Sequence, residues 1–344
     1  MAARWIKAGL FTVLISLGLT AWAAPETAMA TSSDKPVIAG QKIGFMSSNP
    51  VVFQQLITKK DLIPQPIWGY LNLPKIADQQ KVPAVIMIPG AGGFSPWYGK
   101  YVKHLNAKGI ATFQVDSFSP RGINGGVATN QAQLPIPMLV ADAYNALQYL
   151  AKEPNIDANK IAIMGWSLGG LVSITTAFAD LNDSMVSNKK LHFAAHVALY
   201  PACNLIYPND RLDGAPWLYL HGGGDDYTQP TDCLNLIGKL RNSAVIHAIF
   251  YPGAQHAFDN PRPVQWLPDV QNPKNCYGII ANDWSVTEKT TGAAINTLAD
   301  YQKAYSGCML RGAHLGFDKA ASDDAMWQVT NFLQHYLLKQ QPNK

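Results

Sequence analysis

Along most of the chain, short apolar runs bounded by proline or glycine alternate with longer stretches whose apolar positions recur every three or four residues. PAVIMIP (83–89) predicts a buried strand, and the glycine-rich loop 90–93 follows it. WYGKYVKHLNAKG has helical spacing and stops at Gly109. IATFQVD (110–116) predicts the next strand, and SFSPRG a turn around Pro120 and Gly122. Residues 136–152 read as a helix, KIAIMG (160–165) as a strand, and LGGLVSITTAFAD as a helix. FAAHVALYP (193–201) and PWLYLHG (216–222) are strands, TDCLNLIGKLRN is a helix, AVIHAIFYP (244–252) is a strand, and 322–340 is the last helix.

Strand and helix periods in alternation imply βαβ units, right-handed crossovers and a mostly parallel sheet with helices on both faces. Two regions depart from this rhythm. Between about 34 and 75 the chain is polar, with VVFQQLI and PIWGYLNLP as short strands of an antiparallel edge. Residues 259–320 are polar, proline-bearing and irregular, and predict an insertion in the C-terminal half, folded over one end of the sheet. No linker or repeat calls for a second domain, so 31–344 is expected to form one α/β domain.

Composition adds little to this except at the N-terminus and the cysteines. The 344 residues are 48% hydrophobic and 15% charged, with net charge +4 and no basic run, so no nucleic-acid partner is expected. Arg4 and Lys7 precede the apolar run Ala8–Ala24, and small-x-small sites end at Ala23 and Ala30. This is the layout of a signal peptide over 1–30, cleaved near 23 or 30; the run is short for a membrane span of about 20 residues. The expected product is soluble, periplasmic or secreted, with no stable membrane anchor after cleavage. An even count of four cysteines in an exported chain suggests disulfides. Of three connectivities, Cys203 with Cys233 ties two loops after neighbouring strands, and Cys276 with Cys308 closes the insertion. No C-x-x-C spacing is present, so no metal is expected.

Ligands of open α/β sheets bind beyond the carboxyl ends of the strands. There the sequence places Ser167 within GWSLGG, Asp225 within GGGDD and His256 within GAQH, in the order Ser, Asp, His expected of α/β-hydrolases. A G-x-S-x-G alone is weak and reads equally as a turn serine. The strand before it, the helical pattern after it and two partners at later strand ends make the combination specific. In this reading His256 takes the proton of Ser167 and Asp225 orients His256. The oxyanion donors are the amides of Leu168 and Ala91, with Gly92 the alternative to Ala91. Asp226 competes with Asp225, and His314 with His256. His221 is a candidate partner of Asp225. His104, His192, His196, His247 and His335 read as core-edge or surface residues. Asp116 and Arg121 read as a structural ion pair.

YPGAQHAFDN, GWSLGG, VDSFSPRG, LYPACN and GGGDDYTQPTDC together resemble the dienelactone hydrolase family of α/β-hydrolases, over about 65–260 and again from GAHLGFDKAASDDA onward. The resemblance implies the α/β-hydrolase fold, the triad Ser167, Asp225 and His256, and hydrolysis of esters or lactones without a metal or organic cofactor. It also implies pairing at positions like Cys203 and Cys233. Where the family's namesake enzymes carry a cysteine nucleophile this chain has Ser167, and they lack the insertion, so dienelactone does not carry over as substrate. The expected partner is a small-molecule ester. A small-peptide hydrolase and a non-catalytic binding protein on the same fold are the competing readings.

Overall fold

The computed structural model describes residues 39–338; the expected signal segment lies outside them. Its centre is an eight-stranded sheet made of β1 (Gln41–Ser48), β2 (Pro64–Asn72), β3 (Val82–Ile88), β4 (Ala111–Asp116), β5 (Ile156–Trp166), β6 (His196–Leu199), β8 (Trp217–Gly222) and β9 (Ile246–Tyr251). The order is β1-β2-β4-β3-β5-β6-β8-β9. β1 and β2 run antiparallel at the edge, and every pair from β4 to β9 is parallel.

The continuous apolar character of β3 has a simple cause: all its residues are buried, because helices cover both faces. Ala84, Ile86 and Ile88 face one core with α3 (Ile136–Leu150), α4 (Leu168–Thr175) and α6 (Pro230–Leu240). Val85 and Met87 face the other core with α2 (Gly99–Ala107) and α8 (Lys319–Leu333). Alternation of side chains across a strand places successive residues in different cores. This is an α/β-hydrolase-like fold.

Four expectations need correction. VVFQQLI is not a strand: Phe53–Thr58 form a helix, α1, whose Gln55 side chain accepts from the Val51 and Val52 amides at 2.6 and 3.2 Å while Phe53 and Leu56 are buried. The stretch after Ser167 is two helices, α4 and α5 (Ala179–Met185), separated by tight turns at Ala177 and Phe178. The last helix starts at Lys319, where Asp318 accepts from the Ala321 amide at 3.0 Å, and gives way to a π-turn at Gln334–Leu338. The insertion is ordered. β10 (Gln265–Asn272) pairs with β14 (Leu310–Leu315) in a two-stranded sheet, and β11 (Gly278–Ile280), β12 (Val286–Glu288) and β13 (Ala294–Ile295) join β7 (Leu205–Ile206) in a four-stranded one. A helix, α7 (Leu298–Cys308), completes it. Strands of two or three residues are too short to show a period in sequence, and one of their partners, β7, lies far back in the chain.

Disulfides join Cys203 to Cys233 and Cys276 to Cys308. Among the described residues no helix is long and apolar enough to cross a membrane.

Candidate active site

β5 ends at Trp166 and α4 begins at Leu168, leaving Ser167 alone at the turn with φ 52° and ψ −114°. A positive φ at a non-glycine residue costs about 1–3 kcal/mol, and its surroundings hold it there. A Cβ on Gly165 would sit 2.0 Å from the Gly169 carbonyl oxygen, and one on Gly169 would sit 2.1 Å from that of Ile88. Only glycine at both positions lets helix and strands approach closely enough to enforce the turn.

Asp225 follows β8. Its Oδ1 accepts from the amides of Tyr227 and Thr228 at 2.9 and 2.8 Å, and its Oδ2 from the Thr228 hydroxyl at 2.9 Å. His256 follows β9. Its Nδ1 lies 2.7 Å from Asp225 Oδ2, and its Nε2 lies 2.9 Å from Ser167 Oγ. A carboxylate can only accept, so Nδ1 carries the proton and the Nε2 lone pair faces the serine hydroxyl. The rings of Tyr200 and Tyr227 meet the His256 ring edge-on, with centroids at 4.8 and 4.7 Å. The His256 carbonyl also accepts from the Gly316 amide at 3.0 Å, so the chain leaving the insertion helps to hold the histidine loop.

His221 does stand against Asp225. Its Nε2 is 2.7 Å from the Thr228 carbonyl and 3.2 Å from Asp225 Oδ2, and its Nδ1 accepts from the Tyr219 hydroxyl. Burial alone would raise the Asp225 pKa. The electrostatic attraction of the His256 ring and the hydrogen bonds from His221 and His256 outweigh it and hold the carboxyl well below the usual carboxylate range. A narrow cleft opens beside Ser167, lined by Ala91, Leu168, Leu171 and Tyr227 from the core and by Pro273, Tyr301 and Tyr305 from the insertion.

The sequence profile of the Dienelactone hydrolase family matches residues 67–337. The chain belongs to this family. Among solved structures, it resembles a Klebsiella pneumoniae protein assigned as a dienelactone hydrolase, at 16% identity and TM-score 0.50, covering 88% of this chain and 100% of that one. It also resembles the dienelactone hydrolase-like promiscuous phosphotriesterase P91 from metagenomic libraries, at 15% identity and TM-score 0.50, covering 86% and 99%. At these identities the likeness bears on the fold. Comparison with the curated proteins finds no match.

Within this family member, the competing residues of the sequence find other partners. Asp226 bonds to the exposed His314, through its amide at 2.9 Å and its Nδ1 at 2.8 Å, tying the turn after β8 to β14. The expected Asp116–Arg121 pair does not form. Asp116 is occupied by the Phe118 and Ser119 amides at 3.0 and 2.9 Å, and Arg121 clasps the buried Asp142 with its two terminal guanidinium nitrogens at 2.7 and 3.0 Å. His196 is buried and pairs with Asp213 at 2.9 Å. Among the described residues no cluster of His, Cys, Asp or Glu is placed to hold a metal ion.

Sequence reasoning missed Thr228 and Asp259. Thr228 had a local signal: it stands three residues after Asp225, the spacing at which a turn carboxylate takes backbone amides. Asp259 had none. It is fully buried three residues after His256, and accepts from Tyr101 and Tyr200 hydroxyls at 2.7 and 2.6 Å and from the Trp166 indole at 3.1 Å. It thereby joins α2, the end of β5 beside Ser167 and the end of β6. Burial pushes its pKa up, while Lys100 and the three donors pull against that.

Proposed function

We propose that this chain is a periplasmic or secreted serine hydrolase that cleaves carboxylic esters or lactones through an acyl-enzyme. The observation that carries the reading is the hydrogen-bonded series Ser167, His256, Asp225 at the floor of a cleft, with the serine on a strained turn. Ser167 Oγ attacks the carbonyl carbon as His256 Nε2 takes its proton. The imidazolium formed is stabilised by Asp225 and returns the proton to the leaving alkoxide. Water, deprotonated by the same nitrogen, then cleaves the acyl-enzyme and regenerates Ser167.

The Leu168 amide, at the first position of α4, has no carbonyl partner within its helix and sits at the positive end of the helix dipole, which suits an oxyanion. Ala91 is the second donor: it lines the same cleft, and its carbonyl accepts from Val127 at 2.6 Å, fixing the loop, whereas Gly92 is exposed. The two disulfides suit an oxidising compartment, in keeping with export.

The test is reaction of the purified protein with a fluorophosphonate probe and with short-chain nitrophenyl esters. The wild type is labelled and turns over, and Ser167→Ala does neither. An unlabelled wild type overturns the hydrolase reading. A labelled Ser167→Ala moves the nucleophile elsewhere.

A further inference from the structure

The cleft beside Ser167 is short. Its free volume is about 20 Å³, on the scale of one water molecule. Ile136, Tyr301 and Tyr305 stand between it and the apolar space behind α7, since they line both. The two tyrosine rings stack with centroids 4.3 Å apart, and the Cys276–Cys308 disulfide pins the end of their helix. An arm of an ester that lies here extends only about one or two heavy atoms beyond the reacting group. Among the described residues that line the cleft none is charged. A carboxylate or an ammonium on the substrate would find no counter-charge there, so the arm is neutral.

One group in this lining is left open. Asn204 is 6% exposed, and its Oδ1 is the only buried polar side-chain atom of the lining without a hydrogen-bond partner among the described residues. Its orientation is set by the other end of the amide. Nδ2 donates to the Cys276 carbonyl at 2.6 Å, and a carbonyl can only accept, so the oxygen is the free end. The Asn204 backbone carbonyl accepts from the Gly278 amide at 3.0 Å, so β11 and the loop before it both hold the residue. Neighbouring polar side chains are committed. Gln131 donates to the Tyr227 hydroxyl at 2.8 Å and to the Gln271 carbonyl at 2.6 Å, and the Thr228 hydroxyl donates to Asp225 at 2.9 Å. A buried acceptor held in one orientation is costly while unpaired, and a donor brought by a ligand relieves that cost.

We propose that Asn204 is a specificity-determining residue whose Oδ1 accepts a hydrogen bond from a hydroxyl on a short, neutral arm of the ester, so that the substrates are esters of small hydroxy acids or of small diols. The inference rests on the hydrolase reading above. Acid and alcohol can each carry the hydroxyl, and two sets of esters separate them: ethyl glycolate, propionate and methoxyacetate on the acid side, and 2-hydroxyethyl, propyl and 2-methoxyethyl acetate on the alcohol side. Propionate and propyl match the hydroxylated arm in size. The methoxy esters match its electron withdrawal and carry no donor.

In one set the hydroxylated ester is expected to exceed both analogues in kcat/KM by roughly three- to tenfold, the worth of one hydrogen bond. That set identifies the side of the ester in the cleft. Asn204→Leu or Asn204→Ala, whichever is folded by circular dichroism, brings both ratios towards one. Hydrolysis with no preference in either set overturns the inference and leaves the hydrolase standing. A methoxy ester that matches the hydroxylated one overturns it too, as does a preference that the Asn204 variants retain. Hydrolysis of none of these esters overturns the inference, and the absence of fluorophosphonate labelling as well overturns the hydrolase reading with it.

Discussion

Removing the Asp259 carboxylate tests whether the strand ends around the site are held by one buried acceptor. Three donors converge on it, one on Oδ1 and two on Oδ2. Asp259→Ala takes this acceptor from three buried donors at once. One orphaned donor costs about 1–3 kcal/mol, but the losses overlap within one cluster, so the whole change is set at about 3–5 kcal/mol, as for breaking a buried charged contact. Asp259→Asn keeps an oxygen for two of the donors and turns its amide towards the third, which predicts a loss of about 1–2 kcal/mol. The assay is urea unfolding followed by circular dichroism and by tryptophan fluorescence, with coincident transitions required before free energies are compared. The pH dependence supplies a second check. A carboxyl whose folded pKa is raised contributes most below the ordinary aspartate value and loses that contribution as pH rises through its folded pKa. The wild-type advantage over Asp259→Asn is thus largest in acid and declines as pH rises. A loss under about 1 kcal/mol for Asp259→Ala, or an advantage that grows with pH, refutes the reasoning.

Gly169→Ala drives a methyl to 2.1 Å from the Ile88 carbonyl oxygen, and backbone cannot swing aside as a side-chain tip does. It destabilises by about 1–3 kcal/mol or more; an unchanged denaturation midpoint contradicts the close-approach argument. Arg121→Ala strands the buried Asp142 carboxylate and costs about 3–5 kcal/mol in the same assay, and Arg121→Lys recovers only part because it cannot reproduce the fork. Glu288 behaves oppositely to Asp259. Burial disfavours its charge, but the Thr290 and Thr291 donors outweigh this and lower its pKa from 4.5 to about 2. Its contribution is present above pH 4.5 and disappears as pH falls towards 2, so the stability difference between wild type and Glu288→Gln shrinks across that window, which acid titration of both proteins measures.

The parallel core was legible because its strands are buried on both faces and read as uninterrupted apolar runs, as in β3 and β8. The strand ends were legible for the same reason, and with them Ser167, Asp225 and His256. What escaped depends on partners remote in the chain. Asp259 meets Tyr101 across 158 positions, and nothing in HAFDN announces a tyrosine from α2. Arg121 lies nearer to Asp116 in sequence but finds Asp142, because two amides of its own turn already satisfy Asp116. β11, β12 and β13 carry too few residues to display alternation, and α1 is selected by a glutamine reaching back to two amides rather than by an apolar stripe.

The serine and histidine that meet at 2.9 Å are 89 residues apart in the chain, and β6, β8 and β9 must all dock before the contact closes. Non-local pairings of this kind form late in folding, after the entropy of closing long loops has been met. Until then the hydroxyl has no base beside it and is an ordinary alcohol. On the hydrolase reading proposed above, turnover therefore reports the fraction of molecules whose sheet is complete.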